Sequence, residues 1–206
     1  MKETSLGELI ANAISHGVGA LFAIVALILL LIKSNTTSEI LSSVVFGVAM
    51  IILYLSSTLF HSFPEKMKRV YSVFQRLDHS SIFILISGTY TPFLVLLVGT
   101  KEAYILLIIL WIITVFGIVM KSIWIHKFKF VHLAIYLFMG WSILFIINDV
   151  YYGLGDVFLF VLLGGISYTV GVAFYVARFK YNHLVWHIFV LGGTVFHFVA
   201  VYEYLL

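Results

Sequence analysis

The sequence predicts an all-α protein that is embedded in a membrane as a bundle of seven transmembrane helices. Of its 206 residues, 63% are hydrophobic and only 10% are charged, and the mean hydropathy is +1.14. A soluble domain carries roughly 25% charged residues, because a chain in water must cover its surface with polar groups. The solvent around this chain must therefore be lipid.

Seven runs are apolar over the roughly 17 to 25 residues that a transmembrane helix needs. Their apolar residues are continuous rather than alternating, which favours helices, since a helix satisfies its backbone hydrogen bonds within one segment. Pro64 should end the second helix and Pro92 should kink the third. With short connections and no linker or repeat, the sequence predicts a single domain, residues 1–206. The expected spans are about 17–33, 40–61, 80–99, 103–120, 130–147, 157–177 and 184–204.

Residues 1–16, ahead of the first span, are amphipathic. Apolar residues recur at helical spacing from Leu6 to Ala13, opposite the polar residues Glu8, Asn12 and His16. This pattern predicts a short helix at the membrane surface, and an amphipathic targeting segment is the alternative.

The distribution of basic residues predicts the orientation of the bundle, because Lys and Arg of short loops are retained in the cytoplasm. With the amino terminus inside, ten of the 12 Lys and Arg residues fall on the cytoplasmic side, and only Lys33 and Lys101 fall outside. We therefore expect a multi-pass protein of the cell membrane with a cytoplasmic amino terminus and an extracellular carboxyl terminus. The basic residues are spread over separate loops, so nucleic acid is not an expected partner.

Histidines and an aspartate gather at the cytoplasmic ends of three spans. His61 ends the second span, Asp78 begins the third, and His183 and His187 begin the seventh. The spacing of four residues places His183 and His187 on one helix face, and His61 could supply a third ligand. The chain has no cysteine, so a metal must be held by nitrogen and oxygen. Three such ligands with one open position are typical of catalytic Zn²⁺.

Asp78 and Ser57 are the candidate catalytic residues beside this metal site. A carboxylate can orient or deprotonate water, and Ser57, one turn before His61, could hydrogen-bond to a substrate. The reaction that this indicates is metal-dependent hydrolysis, with a lipid as the substrate. Alternatively, Ser57 could bond back to a carbonyl of its own helix, and Asp78 could cap the third helix.

The remaining histidines have structural interpretations. His79, His126 and His132 are expected at the membrane interface with their polar atoms in water. His197 lies deep in the seventh span and is expected to face the bundle interior, and His16 could be a polar contact near the site.

Four segments together resemble the hemolysin III branch of the progestin and adipoQ receptor family, whose members include the adiponectin receptors. The resemblance covers nearly the whole chain and includes S-x-x-x-H and H-x-x-x-H spacings. Compact size suits the bacterial branch. The segments are ELIANAISHGVGA, SSTLFH, RLDHSSIFILISGTYTPF and HLVWHIFVLGGTVFH.

The resemblance implies a seven-helix fold with a zinc ion near the cytoplasmic face. Its three ligands match His61, His183 and His187, Asp78 matches the acidic residue that contacts zinc-bound water, and Ser57 matches the serine one turn before the first ligand. In the wider superfamily, which includes alkaline ceramidases, such sites are associated with hydrolysis of lipid amides.

The sequence is compatible with three functions. The leading one is an integral-membrane zinc-dependent hydrolase acting on a lipid amide or ester. The second is a pore-forming cytolysin, as the family name suggests, although the spans show no repeated polar lining for a pore. The third is a membrane sensor or lipid-homeostasis factor in which zinc only holds helices together. The sequence predicts no oligomeric state.

Overall fold

The protein is all-helical throughout the part of the chain that the structure, a computed structural model, describes: residues 5–125, 127–147, 155 and 157–206. A π-helix, Phe93–Val98, continues α3, and a 3-10 helix, Ser142–Ile146, follows α5. The described α-helices are α1 (Leu6–Lys33), α2 (Thr37–Ser62), α3 (Lys68–Pro92), α4 (Lys101–Trp124), α5 (Lys129–Gly140), α6 (Val157–Val176) and α7 (Asn182–Tyr204).

Six of these helices are long and apolar enough to cross a membrane, namely α1 to α4, α6 and α7, with α3 extended to Val98. The fifth predicted span coincides with a shorter apolar segment, Phe130–Ile146, formed by α5 and its 3-10 helix. The prediction of a helical, multi-pass membrane protein is thus confirmed, with six candidate spans in the described residues.

The helix ends follow local sequence signals. Capping boxes start α1 and α2, where the Ser5 and Thr36 side chains accept from the backbone N–H of Glu8 and Glu39, respectively. At the other end of α2, Pro64 follows the last helical residue by two positions, as expected. Helical geometry changes from α to π directly after Pro92, the residue at which a kink is predicted.

The first helix differs from the expectation of a separate surface segment. α1 runs without a break from Leu6 to Lys33, and its side chains at Asn12 and His16 are buried. The same amphipathic pattern therefore directs its polar face into the protein rather than towards water.

Apolar residues cover the outside of the bundle and many small polar residues lie inside it. Ile105, Ile108 and Ile112 of α4 are about half exposed, as expected of side chains that face lipid. Inside, Ser87 of α3 and Thr114 of α4 join their hydroxyls at 2.7 Å. Hydrogen bonds of this kind, with close backbone packing, hold helices together where lipid removes the hydrophobic drive for association.

α1 packs between α2 and α7 and runs parallel to α7. Near its start, Glu8 Oε1 accepts a hydrogen bond from the Tyr181 backbone N–H (3.0 Å), and at its end Lys33 Nζ donates to the Tyr202 carbonyl. Gly19 permits this close approach, because a Cβ there would lie 2.6 Å from Tyr54 of α2 and 2.8 Å from a leucine methyl of α7.

α5 runs parallel to α3. The Tyr136 hydroxyl donates to the His79 carbonyl (2.7 Å), and further along both helices the Tyr90 hydroxyl donates to the Gly140 carbonyl (2.8 Å). The two contacts follow the same order in each helix, so the segment after α4 returns in the direction of α3.

α6 and α7 are antiparallel neighbours. The Asn182 amide at the start of α7 donates to the Ala177 carbonyl (2.8 Å), whereas Nε2 of His197, far along α7, lies 3.2 Å from the Val161 carbonyl near the start of α6. The direction of the chain therefore reverses between these helices.

Candidate metal centre

Three histidines converge where the last turn of α2 meets the first turns of α7. His61 lies in the last turn of α2, and His183 and His187 project from one face of α7, as their spacing predicts. One potential ligand nitrogen from each lies within 4.8 Å of the others, close enough for the three to hold a single metal ion. Their ring centroids are 4.6 to 5.1 Å apart.

The chemistry of this cluster fits a metal ion. His61 Nε2 is buried and has no hydrogen-bond partner among the described residues, whereas buried polar atoms are nearly always paired. A metal would supply that partner. An all-imidazole set of three suits zinc and related divalent metals, and it leaves coordination positions open.

Residues of α1 set the orientation of one candidate ligand, His187. The Nδ1 atom of His187 lies 2.9 Å from the Ser15 hydroxyl, so Nε2 is the nitrogen left for a metal. His16 stacks on the same imidazole, with ring centroids 3.5 Å apart and planes 11° apart. Both contacts fix the orientation of the ring before any metal binds.

His16 itself is buried, and neither of its ring nitrogens has a hydrogen-bond partner among the described residues. The edge of Tyr54 meets its ring at a centroid distance of 5.1 Å. The sequence predicts only a nearby polar contact at this position, and the structure makes it the neighbour of a candidate ligand.

Asp78 approaches the cluster from α3. Its side chain is 13% exposed, its Oδ2 lies 3.1 Å from Nδ1 of His79, and it is near enough to His61 and His183 for their charges to interact. The alternative that Asp78 caps the third helix is wrong, because α3 begins at Lys68, ten residues earlier. The carboxylate is thus available to the centre rather than to a helix end.

Ser57 is buried on α2, one turn before His61. In the described part of the chain its hydroxyl forms no hydrogen bond back to its own helix, in contrast with the neighbouring Thr58, whose hydroxyl donates to the Tyr54 carbonyl at 2.7 Å. The alternative of a locally satisfied serine is therefore not what the structure contains.

The other histidines divide between confirmed and corrected interpretations. His197 is buried against Phe93 and Tyr168, as expected of a residue facing the interior. His132 is almost fully buried rather than interfacial, and its helix, α5, packs against α3. His126 lies outside the described residues.

Sequence reasoning did not assign Ser15 or Glu8 to the site. The signal was present, since Glu8, Asn12 and His16 recur every four residues and form one polar stripe on α1. The prediction of a surface helix pointed this stripe towards water, whereas Asn12 and His16 are buried in the protein. A polar stripe on a lipid-embedded helix must instead face the bundle.

The fold and the histidine cluster define a multi-pass helical membrane protein with a candidate metal centre at one end of the bundle. The family model for haemolysin-III related proteins matches residues 7–198, and the chain belongs to this family, as the sequence motifs predict.

Its relatives span nearly its full length. The chain is 42% identical to "Hemolysin-3" of Bacillus cereus, with 97% of this chain and 92% of the relative covered. It is 40% identical to "Hemolysin-3 homolog" of Bacillus subtilis (strain 168), with 97% and 95% covered. A more distant relative is the human "Monocyte to macrophage differentiation factor", 27% identical over 95% of this chain and 83% of the relative.

Proposed function

We propose that this protein is an integral-membrane, zinc-dependent hydrolase that cleaves an amide or ester bond of a lipid. The observation that carries the proposal is the convergence of three imidazoles from α2 and α7 beside a buried carboxylate. His61, His183 and His187 would hold the ion, which would polarise a substrate carbonyl and acidify a water molecule when bound.

Asp78 and Ser57 have the chemistry for the remaining roles. The Asp78 carboxylate would orient the attacking water and accept its proton, then return it to the leaving group. The Ser57 hydroxyl, which has no partner in its own helix, would donate to the oxygen on which negative charge develops. Asp78 lies on α3 and Ser57 lies one turn before His61 on α2, so the two groups would act on a substrate bond from different helices.

The location of the centre favours a lipid substrate. The histidines lie near the ends of candidate membrane-spanning helices, and the outer faces of these helices are apolar. A lipid whose chains lie among the helices could place its amide or ester linkage at this depth, near the polar headgroup region.

The helix directions support a bundle of seven crossings. α7 is parallel to α1, which requires an odd number of crossings between them, and the long helices α2, α3, α4 and α6 provide only four. The shorter segment Phe130–Ile146, parallel to α3, supplies the fifth. With the basic loops inside, the amino terminus and the metal centre would be cytoplasmic and the carboxyl terminus extracellular. Similarity to two Bacillus proteins supports the plasma membrane of a bacterium.

Zinc content and lipid turnover of the protein purified in detergent test the proposal. We expect about one zinc per chain and hydrolysis of a lipid amide or ester, both lost in His187→Ala. The matched control is His197→Ala, which removes another buried histidine of α7 and should keep the zinc. A His187→Ala variant that loses zinc and retains turnover would exclude the mechanism.

The names of the two Bacillus relatives favour a second candidate, a pore-forming cytolysin. Purified protein would then release dye from liposomes at equal rates in the wild type and in Asp78→Asn, since lysis would not depend on the carboxylate. The hydrolase proposal expects no release beyond that of a detergent control.

A sensor or lipid-homeostasis factor with structural zinc is the third candidate. The ion would join α2 to α7, and its removal would lower thermal stability although no lipid is turned over. Lipid turnover that depends on Asp78 would separate the hydrolase from this case, because a structural ion does not need a proton acceptor beside it.

A further inference from the structure

Ser15 of α1 lies between its own helix backbone and the metal centre. Its hydroxyl is 2.9 Å from the Asn12 carbonyl oxygen and 2.9 Å from Nδ1 of His187. The sequence separation between Ser15 and His187 is 172 residues, so this is a contact between the first and the last helices described. No other side chain of the described residues hydrogen-bonds to the His187 ring.

Ser15 can form both hydrogen bonds at once in only one arrangement of hydrogens. A serine hydroxyl has one hydrogen to donate, and the Asn12 carbonyl can only accept. With the hydroxyl donating to Asn12, its oxygen accepts, and the hydrogen between Ser15 and His187 must come from the imidazole. In that arrangement Nδ1 of His187 carries the hydrogen, and Nε2 carries the lone pair.

We propose that Ser15 is a positioning residue, which fixes His187 in the tautomer with Nδ1 protonated and so presents Nε2 to the metal. The inference rests on the proposed metal site and adds the helix that controls one of its ligands. A metal-binding imidazole commonly donates its other N–H to a partner that sets its tautomer and orientation. Here that partner is a hydroxyl whose own hydrogen is engaged by the backbone.

The surroundings of Ser15 keep it in register with His187. Glu8, two turns earlier, accepts from the Tyr181 N–H just before α7, and Gly19, one turn later, lets α1 approach α7 closely. His16 covers the face of the same imidazole at 3.5 Å. The hydroxyl therefore belongs to a continuous helix that is packed against α7.

Zinc affinity of the metal-free protein, measured by competition with a chelator, tests this role. We expect Ser15→Ala to bind zinc about 10- to 100-fold more weakly. Ser15→Thr and Ser15→Val form a matched pair, because their side chains have the same shape and only threonine keeps the hydroxyl. The Ser15→Thr variant should bind zinc more tightly than the Ser15→Val variant by a similar factor. This comparison separates steric effects from the effect of the hydrogen bond.

Two controls show whether Ser15 acts through His187. Ser142→Ala removes a buried hydroxyl that also donates to a carbonyl three residues earlier, Met139, and should leave zinc affinity unchanged. In a His187→Ala background, Ser15→Ala should cause no further loss of the residual affinity.

Wild-type affinity in Ser15→Ala, equal affinities of the threonine and valine variants, or an undiminished effect of Ser15→Ala in the His187→Ala background would each overturn the inference while leaving the proposed metal site standing. Absence of zinc from the wild type would instead overturn the metal site itself, and with it the basis of the inference.

Discussion

His16 of α1 stacks on His187 of α7 with ring centroids 3.5 Å apart and planes nearly parallel at 11°. The second ring is a candidate metal ligand, and the first has no hydrogen-bond partner at either nitrogen among the described residues. The stacked ring therefore restrains the ligand through packing. α1, which contributes no member of the three-histidine cluster, forms one wall of the centre.

Replacing His16 separates packing from chemistry. His16→Phe keeps an aromatic ring on His187 and removes two buried nitrogens, so we expect unchanged stability and near-normal zinc affinity. His16→Ala leaves a cavity and should lower stability by about 2–5 kcal/mol. Thermal unfolding with and without zinc measures both effects. Loss of turnover in a zinc-loaded His16→Phe protein would show that the imidazole has a chemical role.

Asp78→Asn tests the proton acceptor. The amide has nearly the shape of the carboxylate but accepts a proton poorly, so lipid turnover should fall by about 10²- to 10⁴-fold. Zinc content, measured by elemental analysis of the same sample, should be retained, because the three histidines are unchanged. Turnover equal to that of the wild type would remove Asp78 from the mechanism.

Two glycine substitutions test the close approach of α1. In Gly19→Ala, the new methyl group would lie 2.6 Å from Tyr54 and 2.8 Å from Leu191, and we expect a loss of about 1–3 kcal/mol in the free energy of unfolding. The control is Gly165→Ala, also helical, where a Cβ meets no atom within 4 Å. Because alanine has a higher helix propensity than glycine, the Gly165→Ala variant should be as stable as the wild type or slightly more stable. Equal stabilities of the Gly19→Ala and Gly165→Ala variants would mean that α1 can move away from α2 and α7 without a loss of stability.

Removal of the metal should destabilise the wild type specifically. An ion that binds only the folded state, present at about 100 times its Kd, adds about 2.7 kcal/mol. We therefore expect a chelator to lower the Tm of the wild type and to leave the Tm of a His61→Ala variant unchanged. Restoration of the wild-type Tm by added zinc is the check on reversibility. A chelator effect of equal size in both proteins would not come from this site.

Single cysteines can map the topology, because the chain has no cysteine of its own. Asn35→Cys and Glu203→Cys should react with an impermeant thiol reagent added outside cells, whereas Lys66→Cys and Lys180→Cys should react only after the membrane is opened. If Phe130–Ile146 does not cross, Lys180 and Glu203 exchange sides while the other two positions stay.

Hydropathy and spacing predict the helices and the three-histidine cluster because both depend on local periodicity. The convergence of His61 with His183 follows once the spans are placed, since the predicted spans put both residues at helix ends on the same face of the membrane. Helix starts are less predictable. α3 begins at Lys68 rather than near residue 80, because hydropathy marks the portion covered by lipid and not the polar turns that extend beyond it.

Other contacts depend on which way a helix is turned and on neighbours far along the chain. The polar stripe containing His16 has the same periodicity whether it faces water or the bundle, so pattern alone does not decide between them. Burial of His132 likewise depends on how α5 packs against α3. The hydrogen bond between Ser15 and His187 joins residues 172 positions apart, a distance over which no sequence periodicity operates.

The pairing of α1 with α7 has a consequence for biosynthesis. Ser15 and His16 leave the ribosome 172 and 171 residues before the histidine that they contact, an interval of roughly 10 to 30 s at bacterial and eukaryotic rates of translation. During that time α1 must hold its polar stripe in the membrane without α7. A chain that stops before α7 contains one of the three candidate ligands and cannot assemble the cluster. Retention of zinc would therefore report that the last helix has been inserted and docked.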